Sequence, residues 1–322
     1  MGFTLLQPER LFISLIIVHI DIIIKGGKLI MKEIIILSAK HYENAETTNY
    51  GDCILINTGT ELYIYDCGSS KHAEEVIQYM DKNGYKKATL ILSHNDSDHF
   101  DGIPTLIAND RISSIRTTLL LKYVDEILER IDDKRRNRDT VKQEILEKYD
   151  NIATLSGCNL EDIYECGFTL TDEISIVGPD FDYMLDTVAK HLDGREGDTV
   201  DGETAYNATS IQLAVDICSH TLLLSGDASY AAIEDKVRDY DIVQLPHHGK
   251  SKQADKIFAK KCDQISTVYI VSDNTGNSNG GSDDLKTTGH RVYNTKHYGN
   301  IKLNSLFFSC ESPYTGRSLG TK

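Results

Sequence analysis

At 322 residues, 40% apolar and 26% charged, the chain has the length for one large domain or two small ones and enough apolar side chain for a sizeable core. That composition excludes collagen-like, wholly disordered and disulfide-miniprotein classes. With 34 Lys and Arg against 49 Asp and Glu the formal net charge is −15, so a polyanion is repelled at long range and a phosphodiester substrate must be drawn by metal ions or a local basic patch.

Residues 1–30 stand apart. The run 11–24, LFISLIIVHIDIII, is apolar but too short to span a bilayer as a helix, and His19 and Asp21 interrupt it. Only Arg10 precedes it closely and no small-residue cleavage pattern follows, so it does not read as a secretion signal. It reads as an appended or mis-started segment ahead of a domain at 31–322; an extra strand or a membrane-proximal anchor is the alternative. Within that domain, 33–38, 52–57 and 61–66 are β-branched runs, the last two forming a hairpin. Helical spacing over 71–83 stops at Gly84; a buried strand follows at 88–93, a short helix at 104–108 and a strand at 115–121. A helical and loop insertion is expected around 123–206, with a charged helical stretch at 123–155, a strand at 172–177 and a Gly- and Asp-rich loop at 193–203. Strands at 210–216, 221–225, 241–245 and 265–272 then alternate with helices at 230–239 and 253–261. A loop at 273–281 and a strand at 301–309 close the chain. Two halves with strands first and helices interleaved predict one α/β domain of two packed sheets with helices outside. No apolar run is long enough for a membrane span. Seven scattered cysteines without a CxxC fit reduced thiols and a cytoplasmic location.

The chemistry concentrates at Ser93-His94-Asn95-Asp96-Ser97-Asp98-His99, just past the buried strand. Imidazole and carboxylate together suit borderline and hard divalent ions. In an extended loop alternate residues face one way, so His94, Asp96 and Asp98 can converge while His99 turns in with the bend. A helix cap at Asp98 or Asp101 would account for one carboxylate but not for the set. Asp66 and Asp227 also end apolar strands, and His247-His248 follow another. Three such strand ends can form one cluster at a sheet edge.

HNDSDH followed by FDG resembles the HxHxDH signature of the metallo-β-lactamase fold, closest to the HxDxDH variant of the soluble nuclease-like domain in the DNA-uptake protein ComEC. Tyr65-Asp66-Cys67-Gly68, Asn207-Ala208-Thr209-Ser210, Leu223-Leu224-Ser225-Gly226-Asp227, Leu245-Pro246-His247-His248-Gly249 and the Thr295 to Gly299 segment resemble further motifs in the same order. The resemblance implies a four-layer αββα sandwich and a bacterial hydrolase using a metal-bound hydroxide. It also implies two divalent ions, zinc or manganese, with magnesium a further candidate. His94 and Asp96 would hold one ion, Asp98 and His99 the second, and Asp227 would bridge them. His247 or His248 would complete the second site, only one of the two being a ligand and His248 favoured because it precedes Gly249. Asp98 and Asp227 are then the catalytic carboxylates, and Asp66, Asn207 and Ser210 support the loops or substrate.

Three features depart from that pattern. Asp96 replaces a histidine, which shifts preference toward harder ions. The usual middle histidine of the first site has no counterpart; His191 alone lies between His99 and His220, where it reads equally as a helix-end residue. Lys250 follows Gly249, so Lys250 and Lys252 read either as a phosphate grip or as a solvated helix face. The expected function is a phosphodiesterase or nuclease acting on DNA, RNA or a nucleotide, with a protein partner in a multi-gene, defence-type bacterial system. The alternatives are a small-molecule hydrolase of a lactone, ester or cyclic nucleotide, and a weakly catalytic metal-binding scaffold.

Overall fold

Runs such as Ile34-Ile35-Ile36 and Cys53-Ile54-Leu55-Ile56 are apolar at every position, which suits strands covered on both faces. The computed structural model, which describes residues 22–25, 28–193, 199–277 and 280–310, covers them in that way. Ile34, Ile36, Ile54, Ile56 and Tyr65 face one core with Leu213, Val215, Leu222, Leu224, Ile242 and Ile270 of a second sheet. Ile35, Leu37, Cys53 and Leu55 face the other way, onto Ala73, Val76 and Met80 of the helix Ser70–Asn83. On the far side, Val243, Tyr269 and Val271 receive Ala254, Ile257 and Phe258 of the helix Ser251–Lys260. The layers therefore run helix, sheet, sheet, helix.

The first sheet has the order Ile301–Leu303, Glu33–Ile36, Cys53–Asn57, Leu62–Cys67, Ala88–Ile91, Ile112–Thr117, Asn159–Asp162. The second has Arg291–Asn294, Val268–Val271, Ile242–Gln244, His220–Leu224, Gln212–Ile217, Ile174–Gly178, Thr169–Thr171. Each sheet is antiparallel over half its strands and parallel over the rest, beginning at Leu62–Cys67 and at His220–Leu224. Loops at the C-terminal ends of parallel strands are the usual place for ligands in α/β sheets. The loops carrying Asp66, His94, Asp227 and His247-His248 all leave such ends.

The segment from Leu120 to Tyr206 packs a core of its own. The helices Val124–Glu129, Arg138–Thr154 and Phe181–Leu192 meet through Ile127, Val141, Ile145, Met184, Leu185 and Val188. It also sits on the His94 loop: the Asn95 side chain donates to Lys148 O, and Asn151 Nδ2 donates to Asn95 O at 3.1 Å.

Several elements differ from the sequence reading. The strand expected at 115–121 is Ile112–Thr117, because Leu120 is drawn into the core formed with Ile127, Val141 and Met184. The helix expected at 230–239 is two single turns, Tyr230–Ala232 and Val237–Asp239. The last strand stops at Leu303, since the Asn304 side chain accepts from the N–H groups of Leu306 and Phe307 and so starts the helix Ser305–Cys310. The short or polar edge strands Asn159–Asp162, Thr169–Thr171 and Arg291–Asn294 gave no periodic signal. Within the N-terminal extension, Ile22–Lys25 pairs antiparallel with Lys28–Met31 in a two-stranded sheet; residues 1–21 lie outside the described residues.

Candidate metal centre

The strand Ala88–Ile91 runs out at Leu92-Ser93, and His94 begins the loop. Asp96 is extended (φ −65°, ψ 148°) before the single turn Ser97–Phe100, and its carboxylate makes no capping bond. Asp98 and Asp101 cap nothing either: the next helix, Ile103–Ala108, starts from Gly102. The loop is bound to the strand behind it through Asp66, whose Oδ1 accepts from Ser93 N at 2.7 Å and whose Oδ2 accepts from Ser93 Oγ at 2.7 Å. Close packing sets its depth. A Cβ on Gly51 would lie 1.7 Å, and one on Gly68 2.0 Å, from the Asp98 carbonyl oxygen.

Four histidines are held by Nδ1. His99 Nδ1 donates to Asp66 Oδ2 at 2.8 Å. His248 Nδ1 donates to Asp52 Oδ1 at 3.0 Å and to Ser272 O at 3.1 Å. His94 Nδ1 lies 3.0 Å from Ser93 Oγ and 3.2 Å from Ser210 Oγ. His247 Nδ1 donates to Glu203 Oε2 at 2.5 Å. Anchoring one ring nitrogen leaves the other as a lone pair, the arrangement found behind metal-bound imidazoles.

The four Nε2 atoms surround Asp227. His99 Nε2 is 3.3 Å from Asp227 Oδ1, and the Nε2 atoms of His94, His247 and His248 are 3.9, 3.8 and 3.9 Å from Oδ2. Asp96 Oδ2 is 3.6 Å from His94 Nε2, and Asp98 Oδ2 is 3.0 Å from His248 Nε2. Two donors sharing one ion at about 2.0–2.2 Å each lie roughly 3–4 Å apart, so all of these spacings suit a shared cation, and those of 3.6 Å and more are too long for hydrogen bonds. Buried His94 Nε2, His99 Nε2 and Asp227 Oδ1 have no hydrogen-bond partner, an unfavourable condition that a divalent ion relieves. Ligand atoms converge in three groups: His94, His99 and Asp227; Asp98, His99 and His248; Asp52, Asp227 and His248. The residues fit a divalent centre.

A family model for the metallo-β-lactamase superfamily matches residues 47–269, which contain every one of these side chains. The chain belongs to the metallo-β-lactamase superfamily. Among solved structures it is similar to the metallo-β-lactamase fold protein YhfI from Bacillus subtilis, 13% identical with a TM-score of 0.50 over 84% of this chain and 100% of that one. It is also similar to a diphosphatase from the PhnP family, 10% identical with a TM-score of 0.46 over 85% of this chain and 98% of that one. Comparison with curated proteins returns no match.

Electrostatics follow from packing carboxylates and imidazoles in one buried superfamily centre. Burial alone would lower the pKa of His99 and His248. The carboxylates of Asp227 and Asp66 around the first ring, and of Asp52 and Asp227 around the second, outweigh burial and hold both well above the ordinary imidazole value. Burial likewise raises Asp98 and Asp227, but His248 and His99 beside them hold both well below the carboxylate range. The cluster is an anionic nest that takes up positive charge, either protons or divalent ions.

The other candidates divide. Asn207 Nδ2 is 3.4 Å from Asp227 Oδ2, and Ser210 Oγ accepts from Asp227 N at 3.3 Å, so both touch the shared carboxylate. His191 packs edge-on against Tyr206 in the last turn of its helix and joins none of the converging groups among the described residues. The Lys250 ammonium is 2.9 Å from Glu203 Oε2, while Lys252 is exposed. Sequence reasoning missed Asp52, Glu203 and Asn49, whose Nδ2 donates to Asp98 Oδ2 at 2.8 Å. Asp52 opens an apolar strand, as Asp66 closes one, and was open to the same argument; Glu203 and Asn49 lie in polar loops without a local signal. No helix among the described residues is long and apolar enough to cross a membrane.

Proposed function

We propose that this metallo-β-lactamase-fold hydrolase is a divalent-metal-dependent phosphodiesterase of the ComEC type, acting on nucleic acid or a nucleotide. The observation that carries the reading is the donor set at Asp227: three aspartates, Asp96, Asp98 and Asp227, among the imidazoles. Each carboxylate added to the imidazoles shifts preference from zinc toward manganese or magnesium, and hard ions suit phosphate oxygens. When bound, such a pair of ions acidifies water and withdraws charge from a phosphoryl oxygen. The chain's own part is orientation. Asp66, Asp52, Glu203 and the Ser93 and Ser210 hydroxyls aim the four rings, Asn207 steadies Asp227, and Asp98, tied to Asn49, offers the carboxylate nearest His248 Nε2. Asp98 and Asp227 are the proposed catalytic carboxylates. A cytoplasmic location and a protein partner in a multi-gene bacterial system belong to the same reading; the free thiols support the former.

One observation favours a small substrate, and with it the small-molecule hydrolase as second reading. Lys250 is neutralised by Glu203 in a chain of net charge −15, which leaves little to grip a polymer. The test assays DNA, RNA, cyclic dinucleotides, neutral esters and lactones with manganese, magnesium and zinc in turn, alongside metal analysis. Phosphodiester turnover with manganese or magnesium is expected. Turnover of neutral esters alone would replace it with the second reading, and no turnover with substoichiometric metal would leave a scaffold.

A further inference from the structure

The donors at Asp227 divide unevenly. On the two-ion reading, Asp98, His99 and His248, whose ligand atoms converge, would hold one ion together with Asp227, and His94 and Asp96, 3.6 Å apart, would hold the other with it, four ligands against three. One ring is left over. His247 is in none of the converging groups, but its Nε2 stands 3.8 Å from Asp227 Oδ2, the oxygen that the Nε2 atoms of His94 and His248 both face at 3.9 Å, and it is the ring without an ion of its own. We propose that His247 is the fourth ligand of the first ion, that the tandem histidines therefore serve one ion each, and that Glu203 is the positioning residue for His247. The assignment rests on the two-ion reading above.

The backbone supports a split pair. His247 and His248 are both left-handed, at φ 52° and 54°, a conformation that side chains other than glycine adopt rarely and seldom twice in succession. An ordinary turn would not present both rings to one centre. Here their planes stand at 78° with centroids 5.8 Å apart, so adjacent residues approach Asp227 from different directions. His248 is buried against Asp52, whereas the His247 side chain is 29% exposed. Asp96, the other donor with a solvent-facing edge, is 47% exposed. On this assignment the first ion would be held by the two donors with solvent-facing edges, Asp96 and His247, and the second by the buried rings of His99 and His248.

Glu203 is built to hold that ring. Its side chain is 1% exposed, and its Oε2 accepts from His247 Nδ1 at 2.5 Å and from Lys250 Nζ at 2.9 Å. Its Oε1 accepts from Gln253 Nε2 at 2.9 Å. Three donors leave the carboxylate no freedom to turn. With Nδ1–H committed to it, His247 presents the Nε2 lone pair inward, as His248 does through Asp52. Lys250 thus serves the ring's support and not a phosphate.

The experiment strips the full chain of metal and titrates it with manganese alone, reading ion number and affinity by calorimetry and elemental analysis, with circular dichroism to show that each variant is folded. The wild type is expected to bind two ions. His247→Ala should lose one of them, and Glu203→Gln, which keeps the side chain's shape and leaves the ring in place, should weaken the same one by about 10–100-fold. In a His94→Ala background His247→Ala should change nothing further, whereas in a His248→Ala background it should remove the remaining ion. Two ions bound to His247→Ala at wild-type affinity would overturn the assignment. So would the reverse pattern, silent with His248→Ala and additive with His94→Ala, which would give His247 to the second ion. Should His247→Ala fail to fold, Glu203→Gln decides: unchanged affinity for both ions overturns the positioning role and the assignment with it. A folded wild type that binds no manganese, and no zinc or magnesium when these are titrated in its place, would instead refute the two-ion reading itself.

Discussion

Asp66→Asn separates the charge of one buried carboxylate from its shape. Asp66 has φ 59°, and asparagine is among the few residues that tolerate that conformation, so the backbone stays in place. The native carboxylate accepts from Ser93 N, Ser93 Oγ and His99 Nδ1 at 2.7, 2.7 and 2.8 Å in full burial. In the variant one oxygen becomes an NH2 group. With the amide oxygen kept on Ser93 N, that group faces two donors. The Ser93 hydroxyl can rotate to accept, but the His99 N–H cannot. Losing a charge-assisted bond and leaving a buried donor unmet costs about 2–4 kcal/mol. The ring also loses the partner that fixes its tautomer, which corresponds to a roughly 10–100-fold loss of metal affinity. Urea unfolding of the metal-free protein reads the first number, and manganese titration of the stripped protein reads the second. A stability change below about 0.5 kcal/mol with unaltered ion affinity would show that Asp66 does not support His99 as argued.

Asp227→Ala should abolish binding of both ions and all activity, whereas His191→Ala should leave both close to wild type; equal losses would mean that a ligand has been assigned wrongly. Gly51→Ala should disrupt metal binding without touching a ligand side chain, because its Cβ would overlap the Asp98 carbonyl at 1.7 Å and φ is +68°; an alanine variant with normal ion content would refute that packing argument. Acid stability should depend on His72, whose burial pushes its pKa down from 6.5 to about 4. The unfolded chain then binds the extra proton between those values, so stability is full above about pH 6.5 and falls by about 3 kcal/mol as pH drops toward 4. His72→Leu should flatten that part of the stability curve relative to wild type in urea melts at pH 7 and pH 4.5; parallel curves would assign the acid loss elsewhere.

The sequence alone determined the sheets and the donor types. Ile34 to Ile36 and Cys53 to Ile56 had to be strands covered on both faces, because nothing polar in them could meet solvent. His94, Asp96, Asp98 and His99 had to share one loop, and Asp66 and Asp227 had to end strands, since spacing along the chain settles both. What surrounds those donors was decided only when the two sheets closed on each other. Asp52 reaches His248 across 196 positions, Glu203 reaches His247 across 44, and Asn49 reaches Asp98 across 49. No local period records such pairings, because they depend on which loops meet at the common edge. Lys250 shows the same limit. Its place beside Gly249 suggested a hand for phosphate, and only the folded loop shows the Glu203 carboxylate 2.9 Å from its ammonium. Residue type and spacing specify what a side chain can bind, but its partner is set by the fold, because burial forces every charge in the centre to find a counter-charge from whatever element lies nearest.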